Sequence, residues 1–324
     1  MLMSVILFAV GLVLLIKGGD WFVDGATGIA KRFNLPDIVV GATVVSIGTT
    51  LPEVMVSTTG ALQGSGAMAY GNAIGSIICN TALIAAISIT CNPGPVNVKS
   101  MKTPAIFFFL SAAIYCLAAY GLGTFPRWLG FVMLAIFVVY MILTVRNGMK
   151  NPDAAAEEEE EESKPKALWQ ELVLLVVGAA VIAVGANLLV EHGQVIALGL
   201  GVPETVVALL FVALGTSLPE LVTTITSLKK GRASLGVGNV IGANVSNLVL
   251  VSGVAVSLAP FDVPVENTLL NTGLNLSLVF DIPVMLGVMS LMIFPALASK
   301  KLHRWQGILL LGIYAAFCVL QFIL

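Results

Sequence analysis

Two carboxylates sit where a carboxylate is costly. Glu53 ends the string Gly48-Thr49-Thr50-Leu51-Pro52-Glu53, and Glu220 ends Gly215-Thr216-Ser217-Leu218-Pro219-Glu220. Both strings lie inside long apolar runs. Each is followed by a second string, GNAIGSIICN from Gly71 to Asn80 and GNVIGANVSN from Gly238 to Asn247. The copies of both strings are 167 residues apart, with no gap. An ionisable side chain inside a membrane marks a functional site by default. Two of them, placed by an internal repeat, point to a transporter built from two halves.

The chemistry follows from the residue types. Pro52 cannot donate to the carbonyl of Gly48, and Pro219 cannot donate to that of Gly215. Each string therefore frees backbone oxygens beside a carboxylate, which is tolerated at membrane depth only in a cavity or inside protein. On one face of the first helix lie Ser46, Thr49, Thr50, Glu53 and Ser57; the matching face carries Ala213, Thr216, Ser217, Glu220 and Thr224. In the following strings Asn72, Ser76 and Asn80 step by four, as do Asn239, Ala243 and Asn247. The set holds carboxylate, amide, hydroxyl and carbonyl oxygens and no imidazole; Cys79 falls off the face. Oxygen-only sets suit calcium, sodium or magnesium rather than zinc or copper. Two carboxylates balance one divalent ion, and they could equally hold monovalent ions or protons. The glycines of Gly71-x-x-x-Gly75 and Gly238-x-x-x-Gly242 also pack helices closely with no ligand, and hydroxyls often bond their own helix backbone.

Elements of membrane length must carry these groups. The chain is 58% hydrophobic and 10% charged, with a mean hydropathy of +1.00, which excludes an ordinary soluble domain. Ten apolar runs are each long enough to span a bilayer: 3–28, 37–62, 70–90, 104–121, 127–146, 168–190, 203–228, 235–258, 281–298 and 305–323. Without alternation they read as helices rather than barrel strands. The odd-numbered connections hold 14 of the 16 lysines and arginines. The positive-inside rule puts those connections in the cytoplasm and both termini outside. Five helices per half is an odd number, so the second half enters from the opposite side. The expected fold is all-α integral membrane, ten transmembrane helices as two inverted five-helix repeats: 1–146, an acidic cytoplasmic linker 147–167, and 168–324. Gly18 matches Gly185, Asp24 matches Glu191, and Pro36-Asp37 matches Pro203-Glu204 at the same offset.

The first run has no charged segment before it, which favours a retained first helix over a cleaved signal. The six glutamates from Glu157 to Glu162 read as a solvated linker, with a weak divalent-cation sensor as the lesser reading. The four cysteines show no metal-ligand spacing and predict no disulfide framework. Asp20 and Asp24 read as a polar helix end or an access path, and Asp281, before Pro283, as a helix N-cap.

The duplicated G-T-[TS]-L-P-E and G-N-x-I-G-x-x-x-x-N resemble the alpha repeats of the cation/calcium exchanger superfamily, closest to short prokaryotic sodium/calcium exchanger-like membrane proteins. The resemblance implies ten helices and alternating access around a central cluster of cation sites. It implies sodium moving inward and calcium outward. Carried over to this sequence, the four central ligands fall on Glu53, Asn80, Glu220 and Asn247. Supporting oxygens fall on Thr49, Thr50, Ser76, Thr216 and Ser217, and backbone carbonyls on Ser46 and Ala213. Thr50 replaces the usual serine. Ala243 replaces a frequent serine, so one side-chain oxygen is missing there. Asn247 replaces the aspartate of some members, which goes with potassium-independent exchange.

The expected function is a secondary antiporter in the plasma (inner) membrane, exchanging calcium for sodium, and not an enzyme. It needs no cofactor; its ligands are the transported calcium and sodium ions, or protons, and its surroundings are membrane lipid. No nucleic acid and no obligate protein partner are expected, since one chain holds a complete site. The first and sixth helices, poor in polar groups, are free to slide on the core. The alternatives are a proton-coupled calcium or sodium antiporter on the same scaffold and a cation channel. A channel would build its pore at a subunit axis.

Overall fold

A computed structural model describes residues 2–150, 167–199, 215–264 and 275–323. In these residues the chain is almost wholly helical. The helices are α1 (Leu2–Arg32), α2 (Asp37–Leu62), α3 (Gly66–Cys91), α4 (Val98–Leu122), α5 (Arg127–Met149), α6 (Leu168–Gly199), α7 (Leu218–Lys229), α8 (Ala233–Leu258), α9 (Ser277–Ser299) and α10 (Arg304–Ile323). Among the described residues nine of these are long and apolar enough to cross a membrane; α7 is the shorter one. The expected span 203–228 is described only from Gly215, and the linker residues 151–166 lie outside the described residues.

Several boundaries move for local reasons. The fourth span starts at Val98 rather than 104, because Asn97 caps it by accepting from the Ser100 N–H at 3.2 Å. The ninth starts at Ser277 rather than 281. Its cap is Asn275, whose Oδ1 accepts from the N–H groups of Ser277 and Leu278 at 3.0 and 3.4 Å. Asp281 is therefore inside the helix and not an N-cap; its Oδ1 accepts from Gln321 Nε2 at 2.6 Å. Helix α5 runs on to Met149, into the start of the expected linker.

Burial sorts the helices into a core and a periphery. In the apolar windows of α8, α3 and α2, 83%, 72% and 61% of residues are buried, against 22% for both α1 and α6. Helix α8 sits at the centre, against α2, α3, α4 and α7, and its last turns lie against α5. Backbone meets backbone where α8 crosses α2. A Cβ on Gly238 would lie 2.2 Å from the Ile38 carbonyl oxygen, and one on Gly242 2.6 Å from the Ala42 Cα. This is small-residue helix packing as expected for that pair. Gly71 and Gly75 have no described atom within 4 Å of such a Cβ; the counterparts of their packing partners, 205–209, lie outside the described residues.

The peripheral helices α1 and α6 pack on each other along glycines spaced by seven. A Cβ on Gly11 or Gly185 would come within 2.9 Å of the other's carbonyl oxygen, and one on Gly178 within 2.5 Å of the Phe22 nitrogen. Gly11 and Gly178, like Gly18 and Gly185, are 167 residues apart, so the duplication extends into this seam.

The turns repeat too. Gly64 (φ +83°) follows α2 and Gly231 (φ +71°) follows α7, a left-handed conformation that glycine adopts without steric cost. Ser65 N–H donates to Gly60 O at 2.8 Å and Arg232 N–H to Ser227 O at 2.7 Å, closing the same C-cap in both copies. Two short strand pairs, β1 (Gly94–Pro95) with β4 (Lys301–Leu302) and β2 (Thr124–Phe125) with β3 (Phe261–Asp262), tie together connections of equal parity, third with ninth and fourth with eighth.

Candidate cation site

The residues singled out above converge in the core. Glu53, Asn80, Glu220 and Asn247 are all 0% exposed. They come from α2, α3, α7 and α8, which pack around one another. Glu53 and Glu220 lie within electrostatic reach of each other. Thr216 stands beside the Glu53 carboxylate, and Thr49 and Thr50 beside that of Glu220, so each glutamate faces the other copy's hydroxyls. Among the described residues no hydroxyl reaches either glutamate carboxylate with hydrogen-bond geometry. Among the described residues all four carboxylate oxygens, both side-chain amide atoms of Asn80 and of Asn247, Thr50 Oγ1 and Ser217 Oγ are buried without a hydrogen-bond partner. Buried polar groups are normally paired, and each one left unpaired costs about 1–3 kcal/mol, more when charged. A cluster of such oxygens is a place built for a ligand that the polypeptide does not supply.

The other described candidates lie on the same helices as this cluster. Ser46 Oγ donates to Thr43 O at 3.0 Å and Thr49 Oγ1 reaches Ser46 O at 3.4 Å. Ser76 and Ala243 are buried on the faces that carry Asn80 and Asn247. Ala213 lies outside the described residues. Cys79, placed off the face by its spacing, abuts Ser217 and Tyr314 and lies within electrostatic reach of Glu220.

Helix geometry is irregular where the ligands are. Wide π turns run over Asn80–Ala85 and Asn247–Val251, each opening at the candidate asparagine. Such turns disrupt the regular backbone ladder and collect at functional sites. A third, Gly41–Val45, directly precedes Ser46, and Tyr140 Oη donates to Ala42 O within it. Sequence spacing carries no signal for these turns. Pro52 lies inside the continuous helix Ser46–Leu62, as its string implied. The second string differs in its described residues: Thr216-Ser217 form a turn, and Pro219 falls in the first turn of α7, where a missing N–H is harmless.

Two asparagines outside the ligand set join the copies. Thr49 Oγ1 donates to Asn239 Oδ1 at 3.1 Å, and Thr216 Oγ1 to Asn72 Oδ1 at 3.4 Å. These are the same bond at the 167-residue offset. Their place two four-residue steps before Asn80 and Asn247 was the available signal, but it did not say what they bind.

A cavity of about 1180 Å³ borders the site, lined by Gly48, Pro52, Thr216 and Pro219 on the core side and Asn187 and Glu191 on α6. At the other end of α6, ion pairs gather. Lys230 lies 2.8 Å from Asp24 and 3.7 Å from Asp20, Arg232 3.2 Å from Asp37, and Arg32 3.1 Å from Glu171. Asp20 and Asp24 thus form a paired polar helix end.

Comparison with known families and solved structures shows what the chain as a whole resembles. The sodium/calcium exchanger protein family matches residues 3–146 and 171–323. An uncharacterized membrane protein of Methanocaldococcus jannaschii is 35% identical over 95% of this chain and 94% of its own. The sodium/calcium exchanger MaX1 of Methanosarcina acetivorans is 29% identical over 98% of both. A solved structure of the sodium-calcium exchanger NCX_Mj, soaked with sodium and strontium, superposes with a TM-score of 0.79 at 32% identity, covering 98% of both chains. The chain is therefore a multi-pass membrane protein that belongs to the sodium/calcium exchanger family.

Proposed function

We propose that the chain exchanges sodium for calcium by alternating access around the single buried site of Glu53, Asn80, Glu220 and Asn247. Sodium/calcium exchange is the activity of the family it belongs to and of the relatives it resembles over full length. The observation that carries the site assignment is the buried, unpartnered cluster of carboxylate and amide oxygens contributed by both copies. Thr49, Thr50, Ser76, Thr216 and Ser217, with the carbonyls of Ser46 and Ala213, complete the oxygen set. Bare carboxylates in a low dielectric are unfavourable, so the empty protein resists changing sides and a bound cation permits it. Two sodium ions or one calcium ion meet that requirement, which makes the ions competitors and couples their fluxes.

The architecture belongs to the same reading: ten helices in two inverted repeats, 1–146 and 168–324, joined by the cytoplasmic linker 147–167. The basic connections face the cytoplasm and both termini face outside. The pairing of connections of equal parity supports this arrangement. The glycine seam makes α1 and α6 one unit able to slide on the core, and the cavity between that unit and the core is its outward passage. One chain suffices, with lipid and inorganic cations as its only necessary company. It is a transporter and not an enzyme.

The test is radioactive calcium uptake into proteoliposomes loaded with sodium and diluted into sodium-free buffer, with the pH gradient collapsed. Uptake that needs internal sodium and is lost in Glu53→Gln and Glu220→Gln is the expected result. Uptake that follows a pH gradient and ignores sodium would replace this reading with a proton-coupled antiporter. Uncoupled flux far above turnover rates would replace it with a channel.

A further inference from the structure

The two cross-copy hydrogen bonds are alike, but the rest of each asparagine is not. Asn72 Nδ2 donates to Ser57 Oγ at 2.8 Å and reaches the Glu53 carbonyl oxygen at 3.4 Å. At the same offset the second copy has Asn239, Thr224 and Glu220. There Asn239 Nδ2 and Thr224 Oγ1 are both buried and unpartnered among the described residues. Asn239 and Thr49 are 0% and 1% exposed, whereas Asn72 and Thr216 are only partly buried and Thr216 lines the cavity. So the amide is tied back to its own helix pair on the open side of the site. On the closed side the same tie is absent, although every atom needed for it is present.

We infer that Asn72 and Asn239 are positioning residues that work as a two-position tie. In each position the threonine hydroxyl gives its proton to the asparagine Oδ1, which turns the oxygen lone pairs toward the cation. The amide N–H then distinguishes the states. It bonds Ser57 when the site opens beside α6, and in the opposite state Asn239 bonds Thr224 while Asn72 releases Ser57. Inverted repeats change sides by exchanging their conformations, so the unmade bond of one copy is the made bond of the other. A buried unpaired amide and hydroxyl carry an energetic cost in this state. Exchange of conformations moves that cost from one copy to the other, so each tie weights one state and removing either shifts the balance. The inference rests on the alternating-access reading, but not on which ion drives it.

The experiment is thiol labelling from outside of Asn187→Cys, a cavity position, in a variant lacking the four native cysteines and reconstituted with equal sodium on both sides, so that the site can change sides. Ser57→Ala removes the bond of the present state and should slow labelling. Thr224→Val, of nearly equal shape, removes the bond of the opposite state and should speed it. Each shift should be about two- to tenfold, the range of one neutral hydrogen bond. Ser57→Thr, which keeps the hydroxyl, should restore the parent rate, and the double variant should return toward it. Shifts of the same sign, or no shift from either substitution, would overturn the inference. Because labelling reads accessibility alone, failure here leaves sodium/calcium exchange standing. Loss of sodium-driven uptake in the assay above would leave the labelling result standing.

Discussion

The two copies of the glutamate string have nearly the same residues and different local structures. In the first, α2 runs unbroken through Pro52. In the second, Thr216-Ser217 form a turn and α7 starts one residue before Pro219. The turns that follow, at Gly64 and Gly231, are the same down to individual hydrogen bonds. The cross-copy threonine–asparagine bonds are also the same. Among the described residues the copies share their turns and cross-copy bonds and differ at the string that borders the cavity.

Substitutions separate the two parts of that comparison. The largest effect belongs to the shared chemistry. Glu53→Gln and Glu220→Gln should each reduce calcium-dependent exchange on the order of 100-fold or more, as leaving a buried ion without its counter-charge costs several kcal/mol. Equivalent losses are expected although the copies differ in shape, and rates in proteoliposomes read them. A large effect from only one would break the equivalence.

Next come the asparagines at the π turns. Asn80→Ala and Asn247→Ala should weaken calcium binding about tenfold each, the weight of one ligand oxygen to a charged partner. Asn247→Asp adds a third carboxylate, and exchange should become more sensitive to acid, which a pH series of uptake rates would show. No change in that profile would remove Asn247 from the ligand set.

Packing gives a smaller, structural effect. Gly242→Val forces a side chain against the Ala42 backbone and should lower stability by about 1–3 kcal/mol. The readout is the thermal midpoint in detergent. The smallest effect is at the ion pairs. Lys230→Ala loses a contact between α1 and the α7–α8 turn that is partly exposed. It should change stability by less than about 1 kcal/mol, and less still at high salt.

Much of this was legible because a fixed offset marks equivalent residues. The convergence of the motif glutamates and asparagines in the buried core, and the close packing of Gly238-x-x-x-Gly242, followed from spacing. The helix caps did not. Asp281 before Pro283 looked like an N-cap, but Asn275 starts that helix six residues earlier, since any short polar side chain in the connection can cap it. The π turns at Asn80 and Asn247 were invisible, because one extra residue in a helical turn leaves no mark on hydropathy. The turn at Thr216-Ser217 was invisible for a deeper reason. A nearly identical string is continuous in the first copy, so tertiary surroundings decide it. The partners of Asn72 and Asn239 likewise depend on which side is open, and a sequence holds both states at once.

The central claim is that sodium and calcium share one site closed by both glutamates. Calorimetric titration of calcium into the purified protein tests it most directly, at increasing sodium, for the parent chain and for Glu53→Gln and Glu220→Gln. The account predicts one calcium site per chain, its apparent affinity falling steadily with sodium and lost in either variant. Calcium that stays bound at saturating sodium, or that survives in one variant, would contradict it.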